Sequence, residues 1–146
     1  METSLVAQIS TNYRNILERI IAAADSVGRD PAQIKLVVVT KGHSLDVAKA
    51  ALEAGAKDLG ENYLQDALPK IQSLADDFAT VEWHMIGHVQ SRKARDVVQH
   101  FDWLHSLDRL KLARRCDQFA GEMGRRIPVL LECNISAEES KHGWVA

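Results

Sequence analysis

The most constraining stretch of this 146-residue chain is Ile34-Lys35-Leu36-Val37-Val38-Val39-Thr40-Lys41, a β-branched run without polar alternation after Lys35. Such a strand is expected to be buried on both faces, as in a parallel sheet. Parallel strands need a crossover between them, usually a helix. The following residues supply crossovers repeatedly. Ser44 is placed to cap a helix through Ala54, with Gly55 ending it. A short strand around Asp58–Gly60 comes next, then a helix carrying Leu64, Leu68, Ile71 and Leu74, which Pro69 should weaken or bend. Val81–Ile86 reads as a strand closed by Gly87, followed by a helix from about Ser91 to His100. Trp103–Ser106 makes a fourth strand, and Asp108 is expected to cap a helix through about Glu122. Ile127–Cys133 makes a fifth strand before the polar loop Asn134–Gly143.

Ahead of the first strand, Ile9, Tyr13, Ile16, Leu17, Ile20 and Ala24 recur at spacings of three and four between Leu5 and Val27. This is an amphipathic helix that Gly28 can terminate, and Asp30-Pro31 marks a turn or fresh helical start. Five strand–helix alternations with short connections predict an α/β chain with a parallel sheet and helices outside it. The period, about 25 residues, is shorter than a typical βαβ unit of ~30 but compatible with a barrel. No linker interrupts the chain, and its length suits one domain spanning 1–146.

Charge and composition exclude several classes of function. Eighteen Lys+Arg against twenty Asp+Glu leave a net charge of −2, no basic excess for wrapping nucleic acid. The longest strong apolar runs, Leu36–Val39 and Ile127–Leu131, fall far short of the ~18 residues of a membrane span. Met1-Glu2-Thr3-Ser4 lacks the form of a secretion signal. Cys116 and Cys133, in apolar contexts without CxxC spacing, fit reduced thiols in a cytoplasmic protein.

In parallel α/β folds, ligands sit at the C-terminal ends of the strands. Those ends hold Thr40-Lys41, Gly60-Glu61-Asn62, His84 with Gly87-His88, His105-Ser106-Leu107-Asp108, and Asn134-Ile135-Ser136. Lys41 stands out because an apolar strand delivers it to the mouth of the fold. Desolvation there would lower its pKa from about 10.4 and free the amine for Schiff-base chemistry. Spacing alone favours the plainer reading, in which Lys41 merely ends the strand and reaches water.

The other candidates are weaker. Gly55-Ala-Lys-Asp-Leu-Gly60 has phosphate-loop glycines, but Glu61-Asn62 replaces the required Lys-Ser/Thr, and a helix precedes it. His84 and His88 flank a strand end, with no further ligand at zinc-site spacing, so no metal is expected. His105, Ser106 and Asp108 are too close in sequence for a hydrolytic triad. The basic residues around Arg92, Arg114 and Arg125 read as solvated faces, with phosphate contact near Ser91 left open. Neither cysteine looks activated.

Together, Val39-Thr-Lys41, Gly60-Glu-Asn-Tyr63, Trp83-His-Met-Ile-Gly-His-Val-Gln-Ser91, His105-Ser-Leu-Asp108 and Asn134-Ile-Ser-Ala-Glu-Glu-Ser-Lys141 closely resemble the pyridoxal phosphate homeostasis protein family. The resemblance runs in order from Leu36 to the last residue. It implies a (β/α) barrel like the N-terminal domain of alanine racemase, here about the first five units plus an N-terminal helix. It also implies that pyridoxal 5′-phosphate is carried as a Schiff base on Lys41, with Asn62, His84, Ser106 and Asn134 lining the cofactor side. The resemblance suggests a non-catalytic role in storing or delivering the cofactor; the alternative is a racemase- or decarboxylase-like enzyme. Family members are longer, near the ~250 residues of an eight-unit barrel, and their phosphate anchor would lie beyond Ala146. The chain is therefore expected to be a C-terminally shortened, partial barrel. Exposed edges on its first and fifth strands would favour self-association.

Overall fold

In the computed structural model the described residues are 4–145. Met1-Glu2-Thr3, read above as unlike a secretion signal, and Ala146, where a shortened end was expected, lie outside them. Helix α1 (Leu5–Asp25) comes first, with the Ser4 hydroxyl accepting from the Ala7 amide. Strand β1 (Val38–Val39), α2 (Leu45–Glu53), β2 (Asp58–Glu61), α3 (Leu64–Leu74), β3 (Glu82–Met85), α4 (Ala94–His100), β4 (Trp103–Leu107), α5 (Leu110–Met123) and β5 (Val129–Leu131) follow. Two short strands, β6 (Cys133–Asn134) and β7 (Trp144–Val145), close the order.

Strands β1 to β5 form one sheet in sequence order, every pair parallel. Sequential parallel order without a reversal is the winding of a barrel wall rather than of a doubly wound sheet. Successive helices therefore share one face of the sheet. On that face Leu59, Trp83, Met85 and Leu104 pack with Ala48, Ala51, Val97, Val98 and Leu112 as one core. Alanines on α2 permit close helix–sheet approach, and Phe101, fully buried, fills the gap below α4. Helix α1 covers the helix-layer side of β1, where Ile9 and Tyr13 pack against the core, and the Tyr13 hydroxyl donates to the Gly55 carbonyl.

Several expectations need correction. The first strand is not buried on both faces. Val39 is 44% exposed, because β1 is a sheet edge and its concave side is uncovered among the described residues. The first strand also shrinks to two residues, since backbone pairing begins only where β2 lies alongside. Asp108 does not cap α5: Arg109 holds the N-cap position, and the Asp108 carboxylate is engaged by His88 and Arg109. Ser44 does occupy the N-cap of α2 but makes no side-chain capping bond. The helix from Ser91 opens as a 3₁₀ turn over Ser91–Lys93. The expected fifth strand is divided into β5 and β6. The polar loop after it ends in β7, which pairs with β6 through Cys133↔Trp144 and Asn134↔Val145.

Candidate functional site

The chain leaves β1 through a tight turn. The His43 amide donates to the Thr40 carbonyl at 3.1 Å, and Gly42 has φ +72°, the left-handed geometry that a type II turn requires at its third position. Lys41 is the second residue of that turn and is exposed. Thr40, immediately before it, is 2% exposed and fixed at several points. Its amide donates to the Gly60 carbonyl, and its hydroxyl donates to Glu61 Oε1 at 2.7 Å. Lys70 Nζ, from α3, donates both to the Thr40 carbonyl at 2.9 Å and to Glu61 Oε1 at 2.6 Å. Glu61 is wholly buried and Lys70 nearly so, and the second Glu61 oxygen has no partner. This desolvated ion pair anchors the backbone that presents Lys41, while the Lys41 amine makes no hydrogen bond or ion pair among the described residues.

The sequence marks Glu61 only as part of the strand end Gly60-Glu61-Asn62, without a role, and does not mark Lys70. A signal was present: Lys70 lies on the same helical stripe as the buried Leu64, Ala67 and Leu74, where a charge needs a partner.

The remaining site residues fall at different levels of the sheet. Val39 pairs with Gly60 and Gly60 with His84, so continuing the register two residues sets Lys41 beside Asn62. His84 sits two residues nearer the N-terminal ends, about 7 Å lower. It is fully buried, with Nε2 2.9 Å from Asp58 Oδ1 and Nδ1 2.9 Å from His105 Nε2. Both ring nitrogens are thus engaged within the protein. Ser106 is buried and donates to the Gly87 carbonyl at 2.5 Å, fastening the end of β4 to that of β3. Asn134, on β6, donates from Nδ2 to the Glu138 carbonyl at 2.9 Å and shapes the loop that follows. Asn62 also borders a cleft of about 470 Å³ with Tyr63, His88, Gln90 and Lys93. Lys41 does not line that cleft.

Below this level the concave face carries a continuous polar chain. Lys35 Nζ bonds Asp58 at 2.6 Å and also Glu82, whose carboxylate accepts from the Trp103 indole at 3.2 Å. Burial pushes the Asp58 carboxyl up, but hydrogen bonds from Lys35 and His84, with their charges, outweigh it and hold the carboxyl below its ordinary value. The Asp58 and Glu82 hydrogen bonds raise Lys35. Burial, then the neighbouring His84, lowers His105. Cys116 is a buried thiol pushed up to about 11 by burial, so it is not a nucleophile. His84 and His88, weighed above as a pair, are separated by the fold. His84 belongs to this polar chain, whereas His88 faces Asp108, with Nδ1 3.0 Å from Oδ2.

The sequence profile described as alanine racemase, N-terminal domain, matches residues 7–144. The pyridoxal phosphate homeostasis proteins of Pseudomonas aeruginosa and Escherichia coli are each 41% identical to this chain, over 94% and 92% of it respectively. The chain spans 59% and 58% of their lengths. A crystal structure of a protein from Bifidobacterium adolescentis superposes with a TM-score of 0.88 at 30% identity, over 99% of this chain and 62% of that one. PipY of Synechococcus elongatus, solved with pyridoxal phosphate bound, gives a TM-score of 0.72 at 36% identity, over 88% of this chain and 58% of its own. Alanine racemase of Clostridium difficile, 14% identical with a TM-score of 0.59, shares the fold.

Proposed function

The chain belongs to the alanine racemase N-terminal domain family, and on that premise we propose that it binds pyridoxal 5′-phosphate and serves in the homeostasis of that cofactor. One observation carries the reading: an unengaged primary amine, Lys41, stands at the C-terminal end of β1 on a backbone fixed by a buried ion pair. The names of the curated relatives and the cofactor bound in PipY support it.

The bound cofactor supplies an aldehyde carbon. Lys41 Nζ is the amine that would hold that carbon, through a C=N bond formed with loss of the aldehyde oxygen as water. The Thr40–Glu61–Lys70 cluster keeps the turn from drifting while the amine reacts. Asn62, level with Lys41, and Asn134, on β6 beyond the opposite edge strand, are proposed cofactor contacts. His84 and Ser106 are proposed to support that surface from the strands below and beside it. We read the protein as a carrier rather than a catalyst, in keeping with its relatives' names, and place it in the cytoplasm. Both cysteines are free thiols, and among the described residues no helix is long and apolar enough to cross a membrane.

The test is borohydride reduction of the chain mixed with pyridoxal phosphate, followed by peptide mass spectrometry. A single stoichiometric adduct on Lys41, lost in Lys41→Ala with helical content unchanged, is the expected result. Labelling scattered over Lys49, Lys57 and other surface lysines, or an undiminished adduct in Lys41→Ala, would overturn the assignment. Lys35 is expected to stay unlabelled because two carboxylates hold its amine as an ammonium ion.

A further inference from the structure

Three segments far apart in sequence bring nitrogen and oxygen donors together beyond the ends of β3 and β4. His88 follows β3, Asp108 follows β4, and His142 lies in the loop between β6 and β7. One ligand atom from each lies within 4.8 Å of the other two. The imidazoles of His88 and His142 stack with ring centroids 3.8 Å apart, and His88 Nδ1 is 3.0 Å from Asp108 Oδ2. We propose that His88, Asp108 and His142 form a binding site for a zinc-type divalent cation.

The donor set favours that chemistry. Two neutral imidazoles and one carboxylate suit Zn²⁺ or Co²⁺, whereas Mg²⁺ and Ca²⁺ prefer all-oxygen shells. Three protein ligands leave a fourth, open position for water or a small ligand. The buried member is already oriented. Asp108, with its side chain 4% exposed, has Oδ1 held by the Arg109 guanidinium, which turns Oδ2 towards His88. Arg109 also donates from Nη2 to the Val89 carbonyl at 2.7 Å, tying the segment that carries His88 to the end of β4.

Tetrahedral zinc with bonds of about 2.05 Å needs ligand atoms about 3.4 Å apart. The His88–Asp108 pair, at 3.0 Å, must open slightly, and the widest separation must close by at most about 1.4 Å, within reach of rotation at the exposed His142. Arg109 shares the carboxylate charge, which weakens the site relative to one with a free carboxylate. Binding would clip the Asn134–Gly143 loop to the ends of β3 and β4.

The experiment is calorimetric titration of the chain with Zn²⁺ in the absence of pyridoxal phosphate, with Co²⁺ absorption as the spectroscopic probe. Its outcome is thus independent of the cofactor reading. One Zn²⁺ per chain is expected, at least tenfold weaker in His88→Ala and in His142→Ala and unchanged in His43→Ala. Co²⁺ should give ligand-field bands without thiolate charge transfer, and Mg²⁺ should not bind there. No stoichiometric Zn²⁺, an affinity equal to the parent's in either histidine variant, or a thiolate band implicating the exposed Cys133 would each overturn the proposal. His142 is exposed and His88 partly so, and neither belongs to the core, so both variants should keep the parent's circular dichroism.

Discussion

Each side chain of the concave polar network constrains the protonation of the next. Asp58 accepts from His84 Nε2–H, and His84 Nδ1 and His105 Nε2 share one proton across 2.9 Å. The two facing ring nitrogens can hold only one proton between them, and burial, then the neighbouring His84, holds the His105 pKa below its ordinary value. The unfolded chain takes up a proton at His105 near pH 6.5, where the folded chain still resists it. Stability consequently rises with pH across that interval and falls as pH drops below about 6.5 towards the lower folded value. His105→Gln keeps a donor for His84 but cannot titrate. Its denaturation midpoint should be flatter than the parent's between about pH 5 and 7; an unchanged slope would assign the effect elsewhere. The depressed Asp58 carboxyl acts in a separate window. Its contribution is present above the unfolded value of about 4 and is lost below it, as pH falls through the folded value.

At the scale of elements, β2 and β3 approach most closely where their C-terminal connections leave the sheet. A Cβ added at Gly87 would lie 2.3 Å from the Asn62 carbonyl oxygen and 2.7 Å from its Cα, both backbone atoms that cannot rotate aside. Gly87→Ala should therefore destabilise the chain by about 1–3 kcal/mol and displace the Asn62 segment. Chemical denaturation would read the first effect, and a weaker pyridoxal phosphate adduct on Lys41 the second. A parent-like midpoint would mean that the connection yields at no cost.

The alternation of elements was legible because each is marked locally. The stripe of α1 and the Val-rich approach to Lys41 need no knowledge of the rest of the fold. The polar partnerships were not legible in this way. Asp58, His84 and His105 lie on three different strands and Lys35 on the segment before β1, and only the packing of the sheet brings them together. His142 meets His88 only through the return of the chain at β7. Asp108 was misread as a helix cap because an acidic residue before a helix usually is one; a histidine from a neighbouring strand end engaged it instead. Lys41 was recognised through its surrounding motif, whereas the Glu61–Lys70 pair that fixes its backbone needed a charge on an apolar stripe to be taken as a signal.

Across the whole molecule, the sheet has one covered face and one that is only partly covered among the described residues. The helix layer seals Leu59, Met85 and Leu104. On the strands, Val39 is 44%, Leu130 48% and Leu131 64% exposed. Strand β7 touches the extension of β5 through Trp144, whose amide donates to the Glu132 carbonyl and whose indole donates to the Leu107 carbonyl. That contact lies beyond β5 and leaves Val129–Leu131 itself open on one side. Unpaired strand edges beside apolar side chains favour pairing between chains. The 146-residue chain should therefore associate with itself reversibly as its concentration rises. Burying one leucine contributes about 1.5–3 kcal/mol, so Leu131→Lys should weaken that association by at least about tenfold. Sedimentation equilibrium of the two proteins decides the matter. A parent chain that stays monomeric at high concentration would show that twist and the β7 contact suffice to protect the edge. Association unaffected by Leu131→Lys would move the contact to β1, where Val39 is the residue to replace next.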